Sequence, residues 1–151
     1  MNSNKQIIWA PWRMEYVSSP SSSQDKKNIF LDKLSLGDDE SALILYRGKY
    51  SFVMMNLYPY NNGHLMIAPM ERVDSMQSLD NNTMLEVMQL SAESMKIIKK
   101  VMNPSGFNFG SNIGKSGGAG IEEHLHFHIV PRWDGDTNFM PVVGNTKVVV
   151  Q

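Results

Sequence analysis

The chain has 151 residues, no cysteine, four histidines and a formal charge of −1 spread over scattered Lys, Arg, Asp and Glu. That length suits one domain burying about 68–70% of its unfolded surface, while the missing cysteines exclude disulfides, thiolate metal sites and cysteine nucleophiles. No basic footprint for duplex nucleic acid is present, no apolar run nears the ~20 residues that cross a bilayer, and the polar start Met1-Asn2-Ser3-Asn4-Lys5 is no signal peptide, so a soluble, cytoplasmic protein is expected.

The first segment, Ile7-Ile8-Trp9-Ala10-Pro11-Trp12-Arg13-Met14-Glu15-Tyr16-Val17, is an aromatic arm broken by Pro11. Large aromatics in such an arm anchor it against the body of the protein or a neighbouring subunit. Ser18 to Ser23, with Pro20, forms a turn-rich linker, so residues 1–23 are read as arm and linker and 24–151 as one domain. Asp25 to Leu36 carries helix-compatible apolar positions at Ile29, Phe30 and Leu34 and stops at Gly37.

Leu43-Ile44-Leu45-Tyr46 and Tyr50-Ser51-Phe52-Val53-Met54-Met55 flank Arg47-Gly48-Lys49, which predicts a hairpin. Leu57 to Gly63 reads as a loop with Pro59, Asn61 and Asn62, and Leu65 to Ala68 as a third strand ended by Pro69. Thr83 to Met102 repeats apolar residues at Met84, Met88, Met95, Ile98 and Met102, with Ser91 completing the row. Thr83 and Glu86 have capping-box spacing, Lys96, Lys99 and Lys100 suit the far end, and Asn103-Pro104-Ser105-Gly106 terminates it. The twelve methionines are read as core gap-fillers. Phe107 to Ile113 alternates as a fourth strand, a glycine loop runs through Gly120, and His124 to Val130 makes a fifth. Trp133-Asp134-Gly135-Asp136 is a turn, and Lys147-Val148-Val149-Val150-Gln151 is read as an edge strand or a cut end.

Chemistry concentrates in His124-Leu125-His126-Phe127-His128-Ile129-Val130. On a strand, alternation sends the three imidazoles to one face and Leu125, Phe127 and Ile129 into the core. Histidines can chelate zinc, but two-residue steps of about 6.6–6.8 Å separate the outer pair by about 13 Å, too far for one tetrahedral ion. A two-histidine site would need Glu122, Glu123 or His64 and stays the minor alternative. Nucleophilic catalysis fits better: a neutral imidazole attacks phosphorus well near pH 7. The middle histidine would attack, its other ring nitrogen held by a backbone carbonyl, with its neighbours flanking the phosphate. A merely His-rich surface strand would require chance to set three of four histidines in one register.

The preceding loop, Asn112-Ile113-Gly114-Lys115-Ser116-Gly117-Gly118-Ala119-Gly120, can point backbone amides at an anion. Gly114-Lys115-Ser116 suggests a P-loop, but position 109 is Phe109 where that motif needs glycine, and the loop leads to a strand instead of a helix. A plain hairpin connection is the rival reading, and direct continuity with the histidines favours phosphate binding.

His124-Leu125-His126-Phe127-His128-Ile129-Val130 resembles the signature of the histidine triad (HIT) family. The resemblance implies an α+β fold, with a mainly antiparallel five-stranded sheet and two helices beside the aromatic arm, a homodimer or a tetramer, and nucleotide substrates. Trp9 to Tyr16, Gly117-Gly118-Ala119-Gly120-Ile121, Pro131-Arg132-Trp133 and Gly135 to Pro141 look like the bacterial diadenosine tetraphosphate phosphorylase group, near the Fhit-like branch. It implies His126 as nucleophile forming a nucleotidyl-histidine, His124 and His128 as flanking groups, and His64 as a supporting fourth histidine. Asn56 matches a ribose ligand, Ile29 and Phe30 match base-pocket walls, and Asn112 with the loop, including Gly118 and Gly120, matches phosphate contacts. Relatives often carry a Cys-x-x-Cys zinc half-site where this chain has Asn28 and Leu31, so no structural zinc is expected, although a divalent cation can arrive with the nucleotide. Ile121 stands where hydrolase branches often have Ser or Gln; this leaves backbone amides, Lys115 or Ser116 for the phosphates and agrees with the phosphorylase group. The implied activity is phosphorolysis of diadenosine tetraphosphate or a related dinucleoside polyphosphate to ADP and ATP. The alternatives are a hydrolase that uses water and a nucleotide-binding module with little turnover.

Overall fold

A computed structural model describes residues 29–136. The aromatic arm, the start of the first expected helix and the segment after Asp136 lie outside the described residues. In chain order, helices α1 (Ile29–Ser35) and α2 (Asp39–Ala42) precede strands β1 (Ile44–Arg47), β2 (Ser51–Met55) and β3 (Leu65–Pro69). Helix α3 (Asn81–Met102), β4 (Gly106–Gly110) and β5 (Phe127–Arg132) follow, with short 3-10 turns at Met76–Ser78 and Lys115–Gly117. The strands form one five-stranded sheet in the order β1-β2-β3-β5-β4, antiparallel at every pairing. The architecture is α+β, as the sequence implies.

Alternation along the strands builds two cores. Val53, Leu65, Ile67, Phe127 and Ile129 face α3, together with Val87 and Ile98 of that helix. Phe52, Met54, Met66 and Ala68 face the other way and pack with Phe30 of α1, Ala42 and Ile44. Strand β3 is buried at all five positions because both of its faces are covered.

The helices depart from the sequence expectation in detail. Helix α2 is a turn that the reading did not contain; Asp38 caps it by accepting from the amides of Glu40 and Ser41 at 3.1 and 3.3 Å, as short polar residues do at helix starts. Helix α3 begins two residues before Thr83, and Asp80 is its cap, accepting from Asn82 N at 2.8 Å and Thr83 N at 3.2 Å. The expected capping-box partner, Glu86, instead accepts from Lys49 N at 2.9 Å and Tyr50 N at 2.7 Å. It thereby clamps the β1–β2 turn, and Gly48 permits the approach: a Cβ there would meet Ser51 O at 2.8 Å and the Glu86 carboxyl carbon at 2.9 Å. The buried stripe of α3 is Thr83, Val87, Ser91, Ser94 and Ile98, whereas Met84 and Met88 are exposed. Small side chains in that stripe let the helix lie close to the sheet. The Leu43 to Met55 hairpin, the third strand and the stop at Asn103, in left-handed conformation, agree with expectation. Strand β4 ends at Gly110, three residues short of the expected end.

Candidate active site

The histidine stretch is not one continuous strand. Strand β5 starts at Phe127, so only His128 of the three lies in the ladder, opposite Met66 and Gly110. His124 and His126 precede it in an irregular approach held from several directions. Leu125 N donates to Val73 O at 2.6 Å, Arg72 pairs with Glu123, and Ser111 Oγ donates to His126 O at 2.7 Å. Side-chain alternation survives all the same: Leu125, Phe127 and Ile129 enter the α3-side core.

Each imidazole has a distinct environment. His126 is buried, and its Nδ1 lies 2.8 Å from the carbonyl of His124. A carbonyl only accepts, so Nδ1 carries the proton and Nε2 of the neutral ring keeps its lone pair. Burial pushes the His126 pKa below the ordinary histidine value, against a smaller opposing effect from that hydrogen bond, which keeps the ring neutral into mildly acidic solution. His124 is also buried, with Nε2 2.9 Å from Pro69 O. Burial lowers its pKa, with smaller contributions from His126 and Arg72 in the same direction. Phe30 lies over both rings, at centroid distances of 5.0 Å to His124 and 5.1 Å to His126.

His64 and His128 are coupled across β3 and β5, with His64 Nε2 2.9 Å from His128 Nδ1. The Tyr60 amide donates to His64 Nδ1 at 3.1 Å, so that nitrogen accepts and the His64 proton sits on Nε2. His64 therefore donates to His128 Nδ1, and neutral His128 carries its own proton on Nε2. The Tyr60 ring stacks on His64 at 5.2 Å, and the rings of His126 and His128 meet edge to face at 4.9 Å.

One cleft brings many of the expected residues together: Ile29, Phe30, Asn56, Asn112, Gly118, Gly120, His126 and His128 line it. His124 and His64 are buried and do not line it; each adjoins a histidine that does. Lys115 and Ser116 are exposed, in the 3-10 turn Lys115–Gly117, and do not line it. Gly118 sits at φ +84, with Asn112 Nδ2 3.1 Å from where its Cβ would be. Asn112 Nδ2 donates to Gly118 O at 3.2 Å and shapes the loop beside the histidines. Asn56 Oδ1 accepts from Tyr58 N at 2.9 Å, so Nδ2 remains as its donor toward a ligand.

Sequence reasoning missed Lys33, Leu43, Met54, Tyr60 and Met66, which also line the cleft. The signal for Met54 and Met66 was strand alternation, which sets both on the His128 side. Among the described residues, no group of three or more His, Asp or Glu is placed to hold a metal ion, and His124 directs Nε2 at a carbonyl, away from a shared ion with His126. No described helix is long and apolar enough to cross a membrane.

Known proteins resemble this chain in sequence and in fold. Residues 38–135 match the HIT domain. The chain is 41% identical over 152 aligned residues to a Mycobacterium tuberculosis protein named AP-4-A phosphorylase, covering 97% of this chain and 77% of that one. It is 27% identical over 89 residues to the bis(5'-adenosyl)-triphosphatase of Dictyostelium discoideum, covering 59% of each. The crystal structure of the Caenorhabditis elegans NitFhit protein superimposes with a TM-score of 0.59 at 28% identity, over 62% of this chain and 23% of that one. On the strength of the domain match and the mycobacterial relative, the chain belongs to the HIT family.

Proposed function

We propose that this protein is an enzyme that cleaves diadenosine tetraphosphate or a related dinucleoside polyphosphate, transferring a nucleotidyl group through His126 to inorganic phosphate. The observation that carries the reading is the orientation of His126: Nδ1 is held by the His124 carbonyl, so the lone pair of Nε2 is the ring's remaining reactive position, in a side chain that lines the cleft. Its depressed pKa keeps that lone pair unprotonated at neutral pH.

In the first step, Nε2 of His126 bonds to the α-phosphorus as the bond from that phosphorus to the bridging oxygen breaks. ATP leaves with the electron pair of the broken bond on its terminal phosphate, and the Nε2–H of His128 donates a hydrogen bond to that departing oxygen. In the second step, a phosphate oxygen attacks the same phosphorus, the P–N bond breaks, and ADP forms as His126 is regenerated. Asn56 Nδ2 would hold a ribose hydroxyl, Ile29 and Phe30 would enclose a base, and amides of the Asn112–Gly120 loop would face the phosphates. The name of the mycobacterial relative supports phosphate as acceptor. A homodimer belongs to the same reading, since β4 pairs on one side only among the described residues.

The test is product identification with and without inorganic phosphate. Phosphate-dependent ADP together with ATP is expected; AMP formed at a rate indifferent to phosphate would replace the acceptor by water, and nucleotide binding with no turnover on a panel of dinucleoside polyphosphates would reduce the protein to a binding module.

A further inference from the structure

In the β4–β5 register Gly110 stands opposite His128, so a ladder continued by two residues would set Asn112 opposite His126. The strands part before that point: β4 ends at Gly110 and β5 begins at Phe127. Phe127 still pairs with Ile67 of β3, while His126 lies just outside the sheet, with its Nδ1 2.8 Å from the carbonyl of His124. The backbone at His126 is therefore the joint between an anchored strand and the imidazole.

Two hydrogen bonds hold that joint. The His124 carbonyl and the Leu125 amide share one peptide plane, and Leu125 N donates to Val73 O at 2.6 Å. A chain of bonds thus runs from Val73 O through this peptide to His126 Nδ1, each link polarising the next. On the other side of the joint, the carbonyl of His126 accepts from Ser111 Oγ at 2.7 Å. That bond fixes ψ of His126, one of the two soft backbone angles at the residue. The first bond is made by backbone alone; the second is made by a side chain, one residue past the end of β4. A hydroxyl satisfies the His126 carbonyl without imposing ladder geometry, in which side chains stand roughly perpendicular to the sheet. The ring is left to turn back along its own chain onto the His124 carbonyl. Ser111 is half-buried and does not line the cleft, so it acts on the ring and not on a ligand.

We infer that Ser111 is a positioning residue for nucleotidyl transfer: its hydroxyl locks the backbone of His126 so that Nδ1 stays on the His124 carbonyl and Nε2 is presented to the cleft. This rests on the nucleotidyl-histidine reading above.

The test compares wild type with Ser111→Ala, Ser111→Thr and Ser111→Val. Thr and Val are matched in size and differ in the hydroxyl. Single-turnover rapid quenching with diadenosine tetraphosphate gives the rate of nucleotidyl labelling of the protein, equilibrium binding of AMP gives affinity, and nitrogen-15 NMR of the imidazoles gives the His126 tautomer. Labelling should slow by about tenfold to a hundredfold in Ser111→Ala and Ser111→Val, the scale of a small misplacement of a reacting group. Ser111→Thr should stay within about threefold of wild type, and AMP affinity should change by less than about threefold throughout. His126 should be a single Nδ1-protonated tautomer in wild type and Ser111→Thr, and a mixture in Ser111→Ala and Ser111→Val. Wild-type labelling rates in Ser111→Ala and Ser111→Val would overturn the inference, as would slow labelling of all three variants with the His126 tautomer unchanged. Weakened AMP binding with an unchanged labelling rate would place the hydroxyl on the nucleotide and overturn it too. Absence of label on wild type would instead overturn the nucleotidyl-histidine reading.

Discussion

His64 Nε2 lies 2.9 Å from His128 Nδ1, and the Tyr60 amide on the far side of the His64 ring fixes the direction of that hydrogen bond. The chain of donors runs from backbone to His64 to His128 and leaves His128 a donor at Nε2. His64→Ala should therefore lower kcat by about two orders of magnitude, as loss of one preorganised hydrogen-bond donor to developing charge does, with little change in KM. Nitrogen-15 NMR of the imidazoles checks the cause: His128 should show an unprotonated Nδ1 in wild type and mixed tautomers in the variant.

Removing the proposed nucleophile has a sharper signature. His126→Ala should lose about 10⁴-fold or more in turnover, on the scale of nucleophile deletions in other covalent enzymes. Rapid quenching and intact-mass measurement should find one nucleotidyl group on wild type and none on the variant. Equal labelling of both would reassign the nucleophile.

The depressed pKa values of His126 and His124 set a pH dependence. In the unfolded chain both rings take up protons near pH 6.5, but in the folded chain they do so only at lower pH. Between those values the unfolded state binds more protons, so stability should decline as pH falls below about 6.5 and level off beneath the folded values. Denaturant titrations at several pH values check this. For the same reason the acid limb of kcat/KM that belongs to His126 should lie below pH 6.5.

Phe30 is 2% exposed and contacts His124, His126 and Phe52 with its ring. Phe30→Ala should cost about 3–5 kcal/mol of stability by cavity formation. Phe30→Leu should retain most of the stability yet raise KM for nucleotide, because the planar wall is lost.

Glu86 belongs to stability alone. Substitution by Ala strips two backbone amides of a carboxylate acceptor, for about 1.5–3 kcal/mol on the scale of hydrogen bonds to charged groups. Urea unfolding should show the loss, and kcat should not move.

The strands and the hairpin were legible because their signals are local: apolar alternation, Arg47-Gly48-Lys49, and Pro69. The face of α3 was not, because ranking by hydrophobicity selects Met84 and Met88, while close packing on a sheet selects Ser91 and Ser94. Its cap was misread for a related reason, since Glu86 serves amides 36 and 37 residues away and no local spacing reports that. In the site, alternation placed His126 and His128 on the proper side. It also implied a strand through His124, where the backbone instead turns to meet the Nδ1 of His126. Lys115 and Ser116 are typical anion-binding residue types, and both are exposed in a 3-10 turn that adjoins the loop without lining the cleft. Lys33 on α1 and Tyr60 in the β2–β3 loop lie far from the triad in sequence, and only the packing of those elements on the sheet brings them to the cleft.

The imidazoles of this site take their orientation from uncharged backbone: the His124 and Pro69 carbonyls and the Tyr60 amide. Serine hydrolases set their histidine with a buried aspartate, an arrangement ill suited to a polyanionic guest. Here no Asp or Glu lines the described cleft. On the proposed reading, a tetraphosphate chain can thus come within bonding distance of His126 without facing a fixed negative charge, in a field made by amide dipoles, imidazoles and the Lys33 side chain.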